Sequence, residues 1–174
     1  MLASPPVKVA PLRPRTVPRR RVRRCVAALV GTVALAALPA AFGATPAAAA
    51  AARPPVEITK IWYDSPGTDN RSRASLNAEY VVLRNNTARA VSLRGWTVRD
   101  RAGHTYTFGA FSLRAGASVT LHTGAGGDTA SHRYWGRGAY VWNNDRDTAY
   151  LRRSTGTTVD SCSYHSTRVD YTTC

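Results

Sequence analysis

The sequence predicts an all-β sandwich of about eight or nine short, mostly antiparallel strands in the region after residue 52. Short β-rich runs recur there between turn signals such as Asp-Ser-Pro-Gly at 64–67, a spacing typical of sandwiches and barrels. Apolar and polar residues alternate within the runs, as in residues 104–108, which indicates strands that bury one face. No window has a sustained helical period. Strands this short must cover their apolar faces with a second sheet.

The predicted strands follow one another with Gly-, Asn- or Asp-containing turns between them. A polar loop is expected over 64–77, and a flexible Gly-rich loop over 123–128. The run 91–98 changes parity between Leu93 and Trp96, so we expect a bulge or sharp bend at Gly95. The predicted strands cover residues 56–63, 79–84, 91–98, 104–108, 111–113, 118–122, 139–142, 148–152 and 157–164.

Residues 1–52 have the order of a secretory signal peptide. Positions 1–24 carry eight of the 24 basic residues and no acidic one, 25–38 form an apolar run, and 39–52 are rich in alanine. These parts correspond to the n-region, the apolar region and the cleavage region of such signals. We therefore expect export and cleavage, a mature domain over 53–174, and a secreted or envelope-associated protein.

Two features of this segment leave alternatives open. The apolar run is short for a membrane span, yet the alanine tract could extend it into a retained N-terminal anchor. The arginine pairs before the run admit the twin-arginine route beside the general export route.

Export also predicts a disulfide bond. If Cys25 leaves with the signal, the domain keeps Cys162 and Cys174, and two cysteines in an oxidising compartment usually pair. The bond would tie the C-terminal tail to the last predicted strand. Two free thiols are the alternative.

The charge of the domain is modest. Of the net charge of +14, residues 53–174 hold 16 basic and 10 acidic residues, a net of +6. A basic surface attracts anionic partners. Arginine outnumbers lysine 22 to 2, as in GC-rich bacterial genomes, so a merely solvated basic surface is the alternative.

Several short motifs resemble the lamin tail domain family. The segment 79–85 (EYVVLRN) resembles the family pattern Glu-Tyr/Phe-Val-x-Leu-x-Asn, and 91–98 (VSLRGWTV) resembles Val-x-Leu-x-Gly-Trp-x-Leu. The remaining matches follow in family order at 106–108 (YTF), 113–116 (LRAG), 119–121 (VTL), 134–136 (YWG), 142–144 (WNN), 147–151 (DTAYL), Gly156 and 159–160 (VD).

The resemblance covers about residues 55–165 and implies an immunoglobulin-like sandwich. It also implies binding or tethering rather than a defined chemistry, as in bacterial members of the family. Arg114-Ala115-Gly116 replaces the usual Pro-Gly turn, and the pair Cys162 and Cys174 lies outside the pattern.

The sequence has none of the usual catalytic motifs. A Gly-x-Ser-x-Gly elbow, a His-Glu-x-x-His pair and a phosphate-binding glycine loop are all missing. Asp145 and Asp147 could supply oxygen ligands to a hard cation, but turn capping explains them equally well, and we prefer it. We therefore expect no enzyme activity, no metal and no cofactor.

Two basic loops are the candidate binding residues. Arg71 and Arg73 share one loop, and Arg133 and Arg137 flank Trp135 in another. Arginine beside an aromatic ring can hold and stack an anionic polymer. Packing of Trp135 under the sandwich is the preferred interpretation of that side chain, and stacking is the alternative.

The sequence therefore predicts an exported, non-catalytic interaction or tethering module. Its partner would be an anionic polymer (a cell-wall polymer, extracellular DNA or polysaccharide) or another protein. The alternatives are an accessory domain with hydrolase or nuclease activity at an unrecognised site, and an envelope structural protein that associates with itself.

Overall fold

Eleven strands and one short helix make up residues 52–174, the part of the chain that the structure, a computed structural model, describes. In chain order they are β1 (Val56–Trp62), α1 (Arg73–Ala78), β2 (Tyr80–Asn85), β3 (Val91–Ser92), β4 (Thr97–Arg99), β5 (Thr105–Thr107), β6 (Ser112–Leu113), β7 (Ser118–His122), β8 (His132–Tyr134), β9 (Arg146–Arg152), β10 (Thr158–His165) and β11 (Tyr171–Thr173).

The strands form two main sheets and a small ribbon, which confirms the predicted all-β sandwich. One sheet has five strands in the order β11-β1-β2-β7-β8, and the other has four in the order β10-β9-β4-β5. β3 and β6 form the ribbon. The strands pair antiparallel, except that β8 runs parallel to β7. No helix within residues 52–174 is long and apolar enough to cross a bilayer. The predicted export signal lies outside the described residues.

Alternation along the strands separates a buried face from an open one. On β2, Val81 and Leu83 are fully buried, whereas Arg84 is exposed. The inward side chains of both sheets meet in a single core. Its largest fully buried apolar and aromatic members are Trp142, Tyr63, Phe108, Ile58, Ile61, Leu83, Leu93, Leu113, Leu121, Leu151 and Val56. Full burial of one such aliphatic side chain stabilises the fold by about 1.5–3 kcal/mol.

The predicted interruption at Gly95 is confirmed. Gly95 has φ +75°, a conformation that residues with a Cβ rarely adopt, and a Cβ there would lie 3.0 Å from the Cβ of Ser154. Its N–H donates to the Phe108 carbonyl at 2.9 Å. The turn resets the parity of the chain, so that both Leu93 and Trp96 face the core.

Part of the predicted polar loop over 64–77 is helical. Ser72 caps the N-terminus of α1 by accepting a hydrogen bond from the Ser75 N–H at 3.2 Å. Leu76 is the one large apolar side chain that the helix buries. Six residues are fewer than two turns, too few to show a helical period in the sequence.

The predicted strand at 139–142 is wrong. The N–H groups of Val141 and Trp142 donate to the Glu79 side chain instead of to a neighbouring strand. A strand forms earlier, where the sequence predicted a loop: β8 pairs with β7 through His132, Arg133 and Tyr134. The strand β11 was not predicted either.

The C-terminus closes one edge of the sandwich. β11 pairs with β1 through three residues, and β10 is the edge strand of the other sheet. Cys162 on β10 forms the predicted disulfide with Cys174, with the two Cα atoms 5.9 Å apart. Asp160 on β10 accepts a hydrogen bond from the Ile58 N–H of β1 at 2.6 Å. The disulfide therefore links β10, at the edge of the four-stranded sheet, to the residue that follows β11, at the edge of the five-stranded sheet.

Reduction of this disulfide should lower the free energy of unfolding by about 3 kcal/mol, because it restores freedom to the unfolded chain around a short loop. Urea unfolding with and without reductant measures the change. The Cys162→Ala/Cys174→Ala variant is the control and should not respond to reductant. An unchanged urea midpoint for the reduced wild-type protein would contradict this role of the bond.

Candidate functional site

A buried carboxylate anchors the connection between β8 and β9. Glu79, just before β2, is fully buried, and its Oε1 accepts hydrogen bonds from the N–H groups of Trp142 at 2.5 Å and Val141 at 3.2 Å. Burial raises the pKa of Glu79 to about 7, although the two N–H donors lower it. The Glu79 side chain therefore supplies the hydrogen-bond acceptor that a neighbouring strand would otherwise supply to Val141 and Trp142.

Asp100 holds a turn in the same way. Its side chain is fully buried, and Oδ1 accepts hydrogen bonds from the N–H groups of Gly103 and His104, each at 2.6 Å. Oδ2 lies 2.6 Å from Nδ1 of His104. The Asp100 carboxylate thus accepts the hydrogen bonds of the turn between β4 and β5.

Asp147 and Asp145, the candidate cation ligands, have separate roles. Asp147 is buried and accepts hydrogen bonds from the Arg101 N–H at 3.0 Å and from Nδ2 of Asn143 at 2.9 Å. Asp145 is about half exposed and pairs with Arg146 at 3.3 Å. Among the described residues, no three His, Cys, Asp or Glu side chains are arranged to hold a metal.

The structure packs Arg133 and Trp135 into the fold. The Arg133 side chain is 17% exposed, pairs with Asp128 at 2.9 Å and places its guanidinium 4.0 Å from the centre of the Phe111 ring. Trp135 is partly buried, with its ring centre 5.9 Å from that of Tyr106. These contacts occupy the two groups expected to hold and stack a polymer.

Arg71 and Arg137 lie on two loops that meet at one side chain, whereas Arg73, predicted to share the loop of Arg71, is the first residue of α1. The Tyr140 hydroxyl accepts a hydrogen bond from the Arg71 N–H at 3.3 Å and lies 2.6 Å from the hydroxyl of Ser75. Within residues 52–174, none of the three arginines forms an ion pair. They are the members of the predicted set that keep a free charge.

A row of rings, which the sequence interpretation missed, crosses the outer face of the five-stranded sheet. One side chain from each strand contributes, in the spatial order Tyr171, Trp62, Tyr80, His122 and Tyr134, and these residues are cross-strand partners. Successive ring centres are 5.0, 5.9, 5.8 and 4.9 Å apart. We call this set the aromatic row.

The signal for the aromatic row was present in the strand parity. Ile61, Val81 and Leu121 are buried in the core, so each ring next to them in sequence must point outward. The alignment of the strands, which places these rings side by side, cannot be read from parity alone.

Polar groups join the aromatic row at both ends. Lys60 Nζ lies 3.9 Å from the centre of the Tyr171 ring and 4.7 Å from that of Trp62. His122 donates from Nδ1 to the Asn77 carbonyl at 2.7 Å, which leaves Nε2 to accept from His132 at 3.0 Å. Burial lowers the pKa of His122, and the neighbouring His132 lowers it further, against the effect of the Asn77 bond.

The Gly-rich loop over 123–128 covers the β8 end of the aromatic row. A Cβ at Gly126 would overlap the ring of Tyr134. The absence of a side chain at this position therefore lets the loop lie directly on that ring, and the predicted flexible loop has a packing role.

Comparison with known families identifies the sandwich. Residues 49–166 match the family model described as the Lamin Tail Domain, which covers more than half of the chain. No curated protein matches the chain. β11 and Cys174 lie beyond the matched segment, so the C-terminal edge strand and its disulfide extend the domain past that match.

The raised pKa of Glu79 predicts a pH-dependent stability. Its pKa is about 7 in the folded protein against an ordinary value of 4.5, so the folded state binds the proton more tightly. The free energy of unfolding should therefore fall, by about 2–3 kcal/mol from this group, as pH rises through that interval. Glu79→Gln removes the titration and keeps an acceptor oxygen, so its stability should change less between about pH 5 and pH 8. Parallel pH profiles of Tm for the two proteins would contradict the assignment.

Loss of Asp145, just before β9, and loss of Asp147, within β9, should differ in their effect on stability. Asp147→Ala leaves the Arg101 N–H and the Asn143 Nδ2 without their acceptor and should cost about 1–3 kcal/mol. Asp145→Ala removes an exposed ion pair and should change stability by less than about 1 kcal/mol. Urea unfolding of both variants measures the difference. Equal losses of unfolding free energy in the two variants would show that the buried hydrogen bonds of Asp147 do not stabilise the start of β9.

Proposed function

Because the chain belongs to the lamin tail domain family, we propose that it is an exported, non-catalytic interaction module. It tethers to an anionic polymer of the cell surface through the outer face of its five-stranded sheet. A protein partner on the same face is the alternative. The family is one of β-sandwich interaction domains, which supports the general role. The partner and the location are our proposal.

The observation that carries the proposal is the aromatic row. Within residues 52–174 no second sheet covers this face, and its rings are half-buried or exposed. Contiguous apolar surface of this kind marks interaction sites. Val169 and Tyr171, at the β11 end, are 52% and 42% exposed. Ring contacts with Lys60 give the same surface a cation.

The buried carboxylates support a binding role over a catalytic one. Glu79, Asp100 and Asp147 are the most buried acids, and each accepts hydrogen bonds from the backbone of a loop that it holds. A general acid or base needs a free path to a substrate proton. These three groups instead stabilise loop conformations.

Export is supported by two independent features. The order of charges, apolar residues and alanines in residues 1–52 is that of a secretory signal. The disulfide between Cys162 and Cys174 is of the kind that persists in oxidising compartments. A tether outside the cell would meet acidic wall polymers and polysaccharides, which a domain of net charge +6 attracts.

Retention of the purified protein on heparin, duplex DNA and isolated cell wall tests the proposal. Binding should weaken as salt rises, and on DNA the log–log slope should be about −0.9 for each phosphate neutralised. Lys60→Gln with Arg84→Gln, on the outer face, should reduce retention. The matched control is Arg101→Gln with Arg146→Gln, which removes two exposed arginines elsewhere.

Other results would redirect the proposal. Loss of retention only in Arg71→Gln/Arg73→Gln/Arg137→Gln would place the site on the two loops that meet at Tyr140 and the start of α1. No retention on any of the three matrices, or retention that does not depend on salt, would overturn polymer binding and favour a protein partner. Elution as an oligomer in size-exclusion chromatography would favour a self-associating structural protein.

A further inference from the structure

The ring geometry of the aromatic row indicates which class of polymer it fits. We infer that the row, with Lys60, binds an acidic polysaccharide rather than a nucleic acid. This inference rests on the proposed function and names the ligand of the same surface. It depends on how the rings stand on the sheet, on the exposed end of the row and on the charges beside it.

The rings stand against one another instead of lying flat on the sheet. The planes of Trp62 and Tyr171 are 24° from parallel with centres 5.0 Å apart, and those of His122 and Tyr134 are 17° from parallel at 4.9 Å. Such pairs overlap in offset stacks. The outer surface of these two pairs is therefore formed largely by ring edges, whereas Tyr80 and His122 in the middle of the row meet edge to face at 61°. The row spans about 20 Å across five strands.

This arrangement suits sugars better than bases. Single-stranded nucleic acids bind aromatic side chains by stacking each base on an open ring face. In the aromatic row, Trp62 lies between Tyr171 and Tyr80, and His122 lies between Tyr80 and Tyr134. A base has little room between such neighbours. A pyranose carries hydroxyl oxygens, and a uronic acid adds a carboxylate; such electronegative atoms suit the positive edges of aromatic rings.

The β11 end of the row carries its most exposed ring. Tyr171 is 42% exposed, and its strand is at the edge of the sheet. Lys60 Nζ is 3.9 Å from the Tyr171 ring centre and 4.7 Å from that of Trp62, while these centres are 5.0 Å apart. Nζ therefore lies on the Trp62 side of Tyr171, and the 42% exposure of Tyr171 makes it the ring of the row on which a sugar can pack.

The charges of this face favour an acidic polymer. Lys60 and Arg84 point outward from β1 and β2, and Arg84 is exposed. Among the described residues that point outward from the five strands of this sheet, Glu57 is the one carboxylate, and it is the cross-strand partner of Arg84. Asp64 and Asp170 lie just beyond the ends of β1 and β11. Lys60, beside the exposed ring, is thus the cation that a uronic acid carboxylate would meet.

Equilibrium binding of the purified protein to polygalacturonate, dextran and poly(dT) tests the inference. Polygalacturonate should bind more tightly than neutral dextran and than poly(dT) at the same ionic strength. Tyr171→Ala should weaken binding of polygalacturonate about tenfold, the loss of one aromatic anchor, and Lys60→Gln should weaken it and reduce its salt dependence. Tyr150→Ala is the control and should change little. Tyr150 also has a cation over its ring, on the other sheet, with the Arg152 guanidinium 5.5 Å from the ring centre.

A second measurement does not depend on a variant. The indole N–H resonance of Trp62 should shift as polygalacturonate is added to the wild-type protein, and the indole resonance of the buried Trp142 should not. This readout stands even if Tyr171→Ala loosens β11.

The outcomes separate this inference from the proposed function. Tighter binding of poly(dT) that Tyr171→Ala abolishes would overturn the polysaccharide assignment and leave the sheet face as the binding site. Equal binding of polygalacturonate by wild type and Tyr171→Ala, with no shift at Trp62, would overturn the site. Equal binding of dextran would overturn the requirement for acidic sugars. Failure of every anionic matrix would remove the proposed polymer binding itself.

Discussion

The hydrogen bonds of the Glu79 carboxylate are the constraint on which much of the structure depends. The carboxylate binds the N–H groups of Val141 and Trp142, which have no strand partner. A buried polar group without a partner costs about 1–3 kcal/mol, so this one side chain removes two such penalties. It also fixes the segment that buries Trp142 in the core and carries Tyr140 to the loop of Arg71.

The start of β2, directly after Glu79, also positions the middle of the aromatic row. Glu79 points inward, and the next residue, Tyr80, points outward between Trp62 and His122. Because successive side chains of a strand point to opposite faces, an inward Glu79 requires an outward Tyr80. The carbonyl of Glu79 also accepts the N–H of Thr123 at 3.0 Å, just beyond β7. The polar anchor inside the sandwich and the middle of the aromatic row outside it are therefore held by one short stretch of chain.

The sequence was most informative where the signal is local. Alternation identified β1, β2, β7, β9 and β10, and the parity change located the turn at Gly95. Prediction from the sequence failed where the hydrogen-bond partner is distant. The apolar pattern of 139–142 looks like a strand, but the N–H groups of Val141 and Trp142 bind the Glu79 side chain, 62 and 63 positions away. β8 has three residues, and α1 has fewer than two turns, so neither has a measurable period.

The candidate site was harder to predict for the same reason. Arg133 and Trp135 look like exposed binding residues in a basic loop, but they pack on Phe111 and Tyr106, which are more than 20 positions away in sequence. The aromatic row needs the alignment of five strands, one of them beyond the segment that matches the family. Outward parity identifies each ring, and only the register brings the rings together.

Hydrogen exchange at the amides of Val141 and Trp142 tests most directly whether Glu79 holds this arrangement. In the wild-type protein both amides should be protected like those of β2 and β7, because exchange requires the anchor to open. In Glu79→Ala they should exchange far faster while the amides of β2 and β7 stay protected. If the two amides keep their protection in Glu79→Ala, then the carboxylate does not hold the segment, and the account given for the interior of this domain is wrong.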